Sequence, residues 1–268
     1  MPHGAPELVA YGIVAVFGLG LIFHWLRRSL RHPVPTEPIM QELKGNFLMF
    51  DRVQRVFHWA TTVCFILLIA TGLPLYDPSA FVPLAATIGV PLHGAFNTYV
   101  MTHVIASVAL ALLLSVHIAW DVGKLRSLKL MLPTKSDLRD SIMRAKSLLL
   151  GTKQYPRINK YDGFMKNFHL FLPIASIVLA FTGAYMLLYA QWWNIPLELH
   201  FQTEPSFKPT LWHDIFGFLL IALVLGHSYF ALLPINKSVF RAMLKGTITA
   251  DEIARKYRPE DFLRQSKK

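Results

Sequence analysis

Residues 211–234 spell LWHDIFGFLLIALVLGHSYFALLP, an apolar stretch with a single charged side chain, Asp214. A helix of roughly 20 apolar residues crosses the ~30 Å hydrocarbon core of a bilayer, so this stretch predicts a transmembrane helix. It carries His213 and His227, fourteen positions apart. Fourteen residues make almost four helical turns, which places both imidazoles on one face and about 21 Å apart along the axis.

Four further stretches have the length and composition of a membrane span. Such spans must be helical, because hydrocarbon offers backbone amides no outside hydrogen-bond partner. The chain has 268 residues and is only 16% charged, whereas about a quarter of a soluble domain is charged. We therefore predict an all-α integral membrane protein with five spans, which are Leu8–Leu26, Phe57–Tyr76, Tyr99–Trp120, Phe168–Ala190 and Leu211–Pro234.

The basic residues predict the orientation of these spans. All but one of the 27 lysines and arginines lie in segments 27–55 and 124–166 or in the tail from Lys237, and the exception is Lys208. In a five-span chain the three basic segments share one side, and that side is expected to be cytoplasmic. The N-terminus then lies outside and the C-terminus in the cytoplasm. The net charge of +11 is explained as a topogenic signal, which argues against nucleic acid as a partner.

The last four spans contain an internal repeat. Spans two and four each begin with a histidine and carry a Thr-Gly pair thirteen residues later. Spans three and five each carry two histidines fourteen residues apart. The helix pair two–three is therefore a diverged copy of pair four–five, and the first span lies outside the repeat. The repeated positions are His58 with Thr71-Gly72, His169 with Thr182-Gly183, His103 with His117, and His213 with His227.

Histidines at two depths of a membrane favour two haem groups. An imidazole in hydrocarbon is costly unless it binds something, and two imidazoles meeting across a bundle suit the axial positions of a haem iron. With the predicted orientation, His103 and His213 lie at the outer level, which no other intramembrane histidine reaches. The inner level has four candidates, among which spacing leaves the choice open. They are His58, His117, His169 and His227.

The composition excludes several other metal centres. Cys64 is the single cysteine, and one thiolate cannot hold an iron–sulfur cluster, a structural zinc or a covalent c-type haem. The outer level offers zinc only His103, His213 and Asp214, and zinc would not explain a repeat at two depths.

Five motifs occur in order along about residues 51–262. They are Asp51-Arg52 with Arg55 and His58-Trp59, Thr71-Gly72, Lys160-Tyr161-Asp162, the His213-x3-Gly217-x9-His227 pattern, and Met243-Leu244-Lys245-Gly246. The ordered set resembles the membrane cytochrome b (gamma) subunits of respiratory formate dehydrogenases and those of nickel–iron hydrogenases, which are related to bacterial cytochrome b561.

The resemblance implies a four-helix bundle with two haem b groups, to which this chain adds one N-terminal transmembrane helix. It implies that His103 and His213 hold an outer haem and that His58 and His227 hold an inner haem. The spacing of the histidines alone keeps His117 as the alternative to His58. The resemblance also implies a quinone site at the inner face. The quinone-site candidates are Lys160, Tyr161, Asp162, Lys166 and His169, and the candidates for pairing with haem propionates are Arg52, Arg55 and Lys208.

The expected function is electron transfer in the bacterial cytoplasmic (inner) membrane. A di-haem subunit would connect an iron–sulfur subunit, or a multihaem cytochrome c, on the outer face with membrane quinone, while substrate catalysis resides on a partner chain. The alternatives are a stand-alone cytochrome b561-like quinol oxidase and a haem-free anchor or transporter. Three regions are expected: an anchor helix and linker (1–50), the di-haem bundle (51–236) and a basic cytoplasmic tail (237–268).

Overall fold

The computed structural model describes most of the chain. The described residues are 12, 15–24, 44–77, 95–123, 132–150, 158–192, 208–233, 236–258 and 262. Their helices are α1 (Ala15–His24), α2 (Arg52–Tyr76), α3 (Ala95–Gly123), α4 (Lys135–Leu150), α5 (Gly163–Trp192), α6 (Pro209–Leu232), α7 (Lys237–Lys245) and α8 (Ala250–Lys256), and their strands are β1 (Asn46–Leu48) and β2 (Thr247–Thr249).

Four of these helices, α2, α3, α5 and α6, are long and apolar enough to cross a membrane. They confirm four of the five predicted spans, and the chain is a multi-pass membrane protein. Of the predicted span Leu8–Leu26, the described part is residue 12 and helix α1, and the rest lies outside the described residues. The fifth span and the orientation stay predictions.

Helices α2 and α5 begin before the apolar runs that predicted them, because an aspartate caps each one. Asp51 Oδ1 accepts the backbone N–H of Gln54 at 2.8 Å, and Gln54 Oε1 accepts that of Asp51 at 3.1 Å. Asp162 Oδ1 accepts the N–H of Met165 at 2.8 Å. Such bonds satisfy amides that have no partner in the first helical turn, so polar residues ahead of the apolar runs join the helices.

The chain forms two compact units. We call residues 56–124 and 173–221 the histidine-pair unit, and residues 1–55, 125–172 and 222–268 the cap unit.

The core of the cap unit is built on a short antiparallel ribbon. Strand β1 pairs with β2, with Phe47 opposite Ile248. Gly246 ends α7 with φ +92°, and its carbonyl accepts the N–H groups of Met49 and Phe50 at 2.9 and 3.1 Å. This left-handed backbone favours glycine, and an added Cβ would also lie 3.1 Å from the Phe50 carbonyl. The buried core comprises Met49, Phe50, Ile158, Tyr161, Ala242, Ile248, Ile253, Tyr257 and Phe262.

The fold is mostly helical, in agreement with the predicted fold class, and the ribbon is a small β element that the sequence did not indicate. Each strand has only three residues, which is too short to leave the alternating pattern by which strands are recognised.

Helix α1 packs on the last turns of α6 within the cap unit. A Cβ placed on Gly226 would lie 2.7 Å from the Phe17 ring, so the glycine permits a close approach. Tyr229 lies one turn further along α6, and its hydroxyl is hydrogen-bonded to His24 Nδ1 of α1 at 2.7 Å.

A buried ion pair attaches α4 to the start of α5. Lys166 Nζ lies 2.8 Å from Asp137 Oδ2, and the side chains are only 7% and 3% exposed. Thr134 also donates to this oxygen, from its backbone N–H at 2.8 Å and its hydroxyl at 2.6 Å. Burial acts to raise the pKa of the Asp137 carboxyl, but the hydrogen bonds from Lys166 and Thr134 outweigh it and hold that pKa below its usual value.

We expect Asp137→Asn to destabilise the protein at neutral pH by about 3–5 kcal/mol, because Lys166 keeps its buried charge without a counter-ion. A depressed pKa stabilises the fold above the unfolded-state value of about 3.9 and loses that contribution as the pH falls through the folded value. Thermal unfolding in detergent should therefore separate variant from wild type at neutral pH and less so in acid. Asp251→Asn, at an exposed position, is the control, and an equal loss in both variants would contradict the role of Asp137.

Candidate functional site

The predicted outer histidine pair comes together within the histidine-pair unit. The ring of His103, on α3, and that of His213, on α6, have centroids 6.3 Å apart and planes inclined at 60°. Two imidazoles bound to opposite sides of one metal ion, through bonds of about 2 Å, place their centroids roughly 6 Å apart. The observed separation therefore fits axial ligation of a single iron.

A threonine hydroxyl determines which nitrogen of His103 is available for a metal. Thr71 Oγ1 lies 2.9 Å from His103 Nδ1 and 2.7 Å from the Leu67 carbonyl of its own helix. The hydroxyl has one proton, which it donates to the carbonyl, so it accepts the proton of Nδ1. Nε2 is then the nitrogen with the lone pair, as a metal ligand requires.

The second half of the repeat has the same arrangement. Thr182 Oγ1 lies 3.0 Å from His213 Nδ1 and donates to the Val178 carbonyl at 2.8 Å. In both halves the hydroxyl is on one helix and the imidazole on another, so each bond also orients a ring across a helix–helix contact.

The glycine after each threonine makes room for the imidazole. A Cβ on Gly72 would lie 3.1 Å from His103 Cε1, and a Cβ on Gly183 would lie 3.2 Å from His213 Cε1. We call each Thr-Gly pair with its histidine a histidine seat. The repeat identified both Thr-Gly pairs, but their spacing did not show that they face His103 and His213.

The histidines predicted to lie at the inner level divide between the two units. In the histidine-pair unit, His117 lies 5.2 Å from the Phe57 ring, and the Thr62 hydroxyl donates to the His58 carbonyl at 2.8 Å. In the cap unit, His227 stacks on Phe168 with centroids 4.7 Å apart and planes at 17°. The assignment of His58 and His227 to an inner haem, with His117 as the alternative, stays a prediction.

Comparison with known protein families fits this geometry. Residues 49–246 match the family described as prokaryotic cytochrome b561. The chain belongs to this family. Membership confirms the resemblance found in the motifs and implies that the protein is a membrane haem protein that binds haem b. The matched region leaves α1 outside, and comparison with curated proteins gives no match.

Four of the five predicted quinone-site residues are buried or half-buried and take part in structural contacts in this cytochrome b561-family protein. Lys160 Nζ donates to the Leu48 carbonyl at 3.2 Å and lies 5.6 Å from the Tyr161 ring centroid. Tyr161 itself belongs to the cap core, Asp162 caps α5, and Lys166 pairs with Asp137.

His169 is the exposed member of the predicted quinone site. Its Nδ1 lies 2.9 Å from the Met165 carbonyl, which can only accept, so Nδ1 carries a proton. The quinone assignment of all five residues stays a prediction.

The three candidates for haem propionates differ in their surroundings. Arg55 donates from Nη1 to the Leu244 carbonyl at 2.7 Å, near the end of α7. Arg52 and Lys208 are exposed, and Lys208 precedes α6 with φ +48°. Arg55 thus helps attach α2 to α7, and the propionate roles of all three stay predictions.

The sequence reasoning missed Asp137, which lies 29 residues from its partner Lys166. No helical spacing connects residues so far apart. Its one local signal is Thr134, three residues earlier, which is a common arrangement at a helix start.

The histidine seats predict that Thr71→Val raises the midpoint potential of the haem that His103 is predicted to bind. A lost hydrogen bond to Nδ1–H makes the imidazole a weaker donor to ferric iron, and a bond worth ~1 kcal/mol corresponds to about 40 mV. Redox titration of the haem absorbance measures the shift.

Thr71→Ser keeps the hydroxyl and should restore the wild-type potential. Ser115→Ala is the control, since the Ser115 hydroxyl donates to the Ala111 carbonyl of its own helix. A Thr71→Val potential equal to that of wild type, or a Thr71→Ser potential equal to that of Thr71→Val, would contradict the role of the hydroxyl.

Proposed function

We propose that this protein is a di-haem cytochrome b subunit of a respiratory complex in the bacterial inner membrane. It would carry electrons between an iron–sulfur subunit, or a multihaem cytochrome c, on the outer face and the membrane quinone pool. The observation that carries the proposal is the pair of histidine seats, which bring His103 and His213 to a 6.3 Å ring separation.

The side chains of the outer site have distinct roles in this proposal. His103 and His213 would hold the iron through Nε2, and the hydroxyls of Thr71 and Thr182 keep the protons on Nδ1. The glycines of the seats let the rings lie close to their neighbouring helices. Bound haem supplies reversible one-electron transfer.

The inner haem is proposed at His58 and His227, with His117 as the alternative to His58. The fourteen-residue spacing supports two ligand levels on α3 and on α6. Stacking on Phe168 fixes the plane of the His227 ring, as an axial ligand requires. Arg52 and Arg55 precede His58, and their cationic groups suit haem propionates.

The quinone site is proposed at the start of α5. His169 is exposed there and carries a proton on Nδ1, and its Nε2 would be the nitrogen that exchanges protons with the quinone. Lys166 lies near the same helix start, where it pairs with Asp137, and an ammonium group there is a hydrogen-bond donor of the kind that a quinone carbonyl accepts. Lys160, Tyr161 and Asp162 would shape this site from the cap core.

The family described as prokaryotic cytochrome b561 supports a second candidate function, a stand-alone quinol oxidase that needs no partner chain. A haem-free transporter is disfavoured, because transporters commonly break their spans near mid-membrane. Here α5 continues through Pro173 from Gly163 to Trp192.

Haem analysis with reduced-minus-oxidised spectra tests the ligand assignment. We expect two b haems per wild-type chain and loss of the outer one in both His103→Ala and His213→Ala. His58→Ala should lose the inner haem, whereas His117→Ala should keep it. The reverse result for these two variants would move the inner ligand to His117. A colourless wild-type protein made with ample haem would refute the proposed function.

Purification from native membranes distinguishes the two candidate functions. A respiratory subunit should bring an iron–sulfur or multihaem protein with it in a fixed ratio. A chain that purifies alone and oxidises quinol directly would instead support the stand-alone oxidase.

A further inference from the structure

Helix α4 exposes the side that a helix of a soluble protein would bury. Asp137 and Ser141 face the protein and are 2% and 7% exposed. Leu138, Ile142 and Met143 face away and are 58%, 48% and 43% exposed. Exposed apolar surface of this extent on a docked helix indicates that something other than water covers it.

Two ion pairs and one close packing contact hold α4 in this orientation within the cap unit. Asp137 pairs with Lys166 at 2.8 Å, and Asp140 pairs with Arg258 at 3.4 Å. Between them, Ser141 packs so closely on the first residue of α5 that a Cβ on Gly163 would lie 2.2 Å from its hydroxyl oxygen. The apolar side of α4 is therefore held outward by the fold.

The contact with α5 places α4 at a membrane surface. Residues Gly163–Leu188 form one of the membrane-spanning segments, and a span of this length exceeds the ~30 Å hydrocarbon core. Its first turn, which contains Lys166, therefore lies at the headgroup level. Since Asp137 binds that lysine, α4 lies at the same level.

The outward side of α4 combines apolar groups with positive charge. Six residues that share one side of the helix line a shallow groove, and three of the six are basic. They are Lys135, Leu138, Arg139, Ile142, Met143 and Lys146. This combination is typical of helices that lie in the interface of an anionic membrane.

We propose that the outward side of α4 is a docking surface for the anionic lipid surface of the membrane that the protein spans. Leu138 and Ile142 enter the boundary between headgroups and acyl chains. Lys135, Arg139 and Lys146, on the adjacent flank, bind lipid phosphates. This inference does not rest on the number of haems or on their ligands.

Accessibility of spin labels on the full-length chain in lipid nanodiscs tests the position of this surface. In a Cys64→Ala background, labels are attached through Leu138→Cys, Ile142→Cys and, as the matched control, Ser136→Cys, all at exposed positions. In discs of phosphatidylcholine with phosphatidylglycerol, the labels at 138 and 142 should be several-fold less accessible to a water-soluble nickel complex than the label at 136. Equal nickel access at the three positions would overturn the proposal.

The same labels distinguish lipid from other occupants. Lipid contact raises collisions with oxygen, whereas spin–spin broadening between labels would show a second copy of the chain on this surface and overturn the proposal. A label protected from nickel and from oxygen alike would indicate covering by protein and would also overturn it.

The charges are tested separately with spin-labelled lipids. One basic side chain near an anionic surface changes binding about fivefold. Replacing Lys135, Arg139 and Lys146 together by Gln should therefore lower the preference for phosphatidylglycerol over phosphatidylcholine about fivefold or more. Ser136→Gln is the control. An unchanged preference in the triple variant would show that these charges do not bind lipid and would overturn their part in the proposal.

Discussion

The arrangement of the histidine-pair unit depends on where one hydroxyl proton goes in each half of the repeat. Thr71 gives its proton to the Leu67 carbonyl and must then accept that of His103. Thr182 does the same between Val178 and its own histidine. Each bond selects the tautomer, orients the ring and joins two helices. These hydrogen bonds matter more inside a membrane, because no water is present there to bond with an unsatisfied imidazole nitrogen.

The spans could be predicted from the sequence because lipid imposes length and apolarity on every transmembrane helix. The pairing of His103 with His213 could also be predicted, since the fourteen-residue spacing of His103–His117 and of His213–His227 puts these two rings at matching positions along their helices. The residues at which the helices begin were harder to predict. Apolar runs end where hydrocarbon ends, whereas α2 and α5 continue to the caps at Asp51 and Asp162.

Other features could not be predicted because their partners are distant in the sequence. The Thr-Gly pairs could be recognised as a repeat. The contact of Thr71 with the His103 ring on the next helix depends on tertiary structure, which the repeat does not give. Lys166 and Asp137, which form an ion pair, lie on different helices. The cap core joins segments near Met49, Ile158 and Phe262, none of which has a pattern that points to the others.

The ribbon has a consequence for the order of biosynthesis. Strand β1 precedes the four confirmed spans, and its partner β2 follows them. Pairing must therefore wait until Thr247–Thr249 have left the ribosome, and by then all four hydrophobic helices have left it before them. Closure of the ribbon is thus a late event that ties the two ends of the bundle sequence together, and a chain whose synthesis stops early leaves β1 without its neighbour.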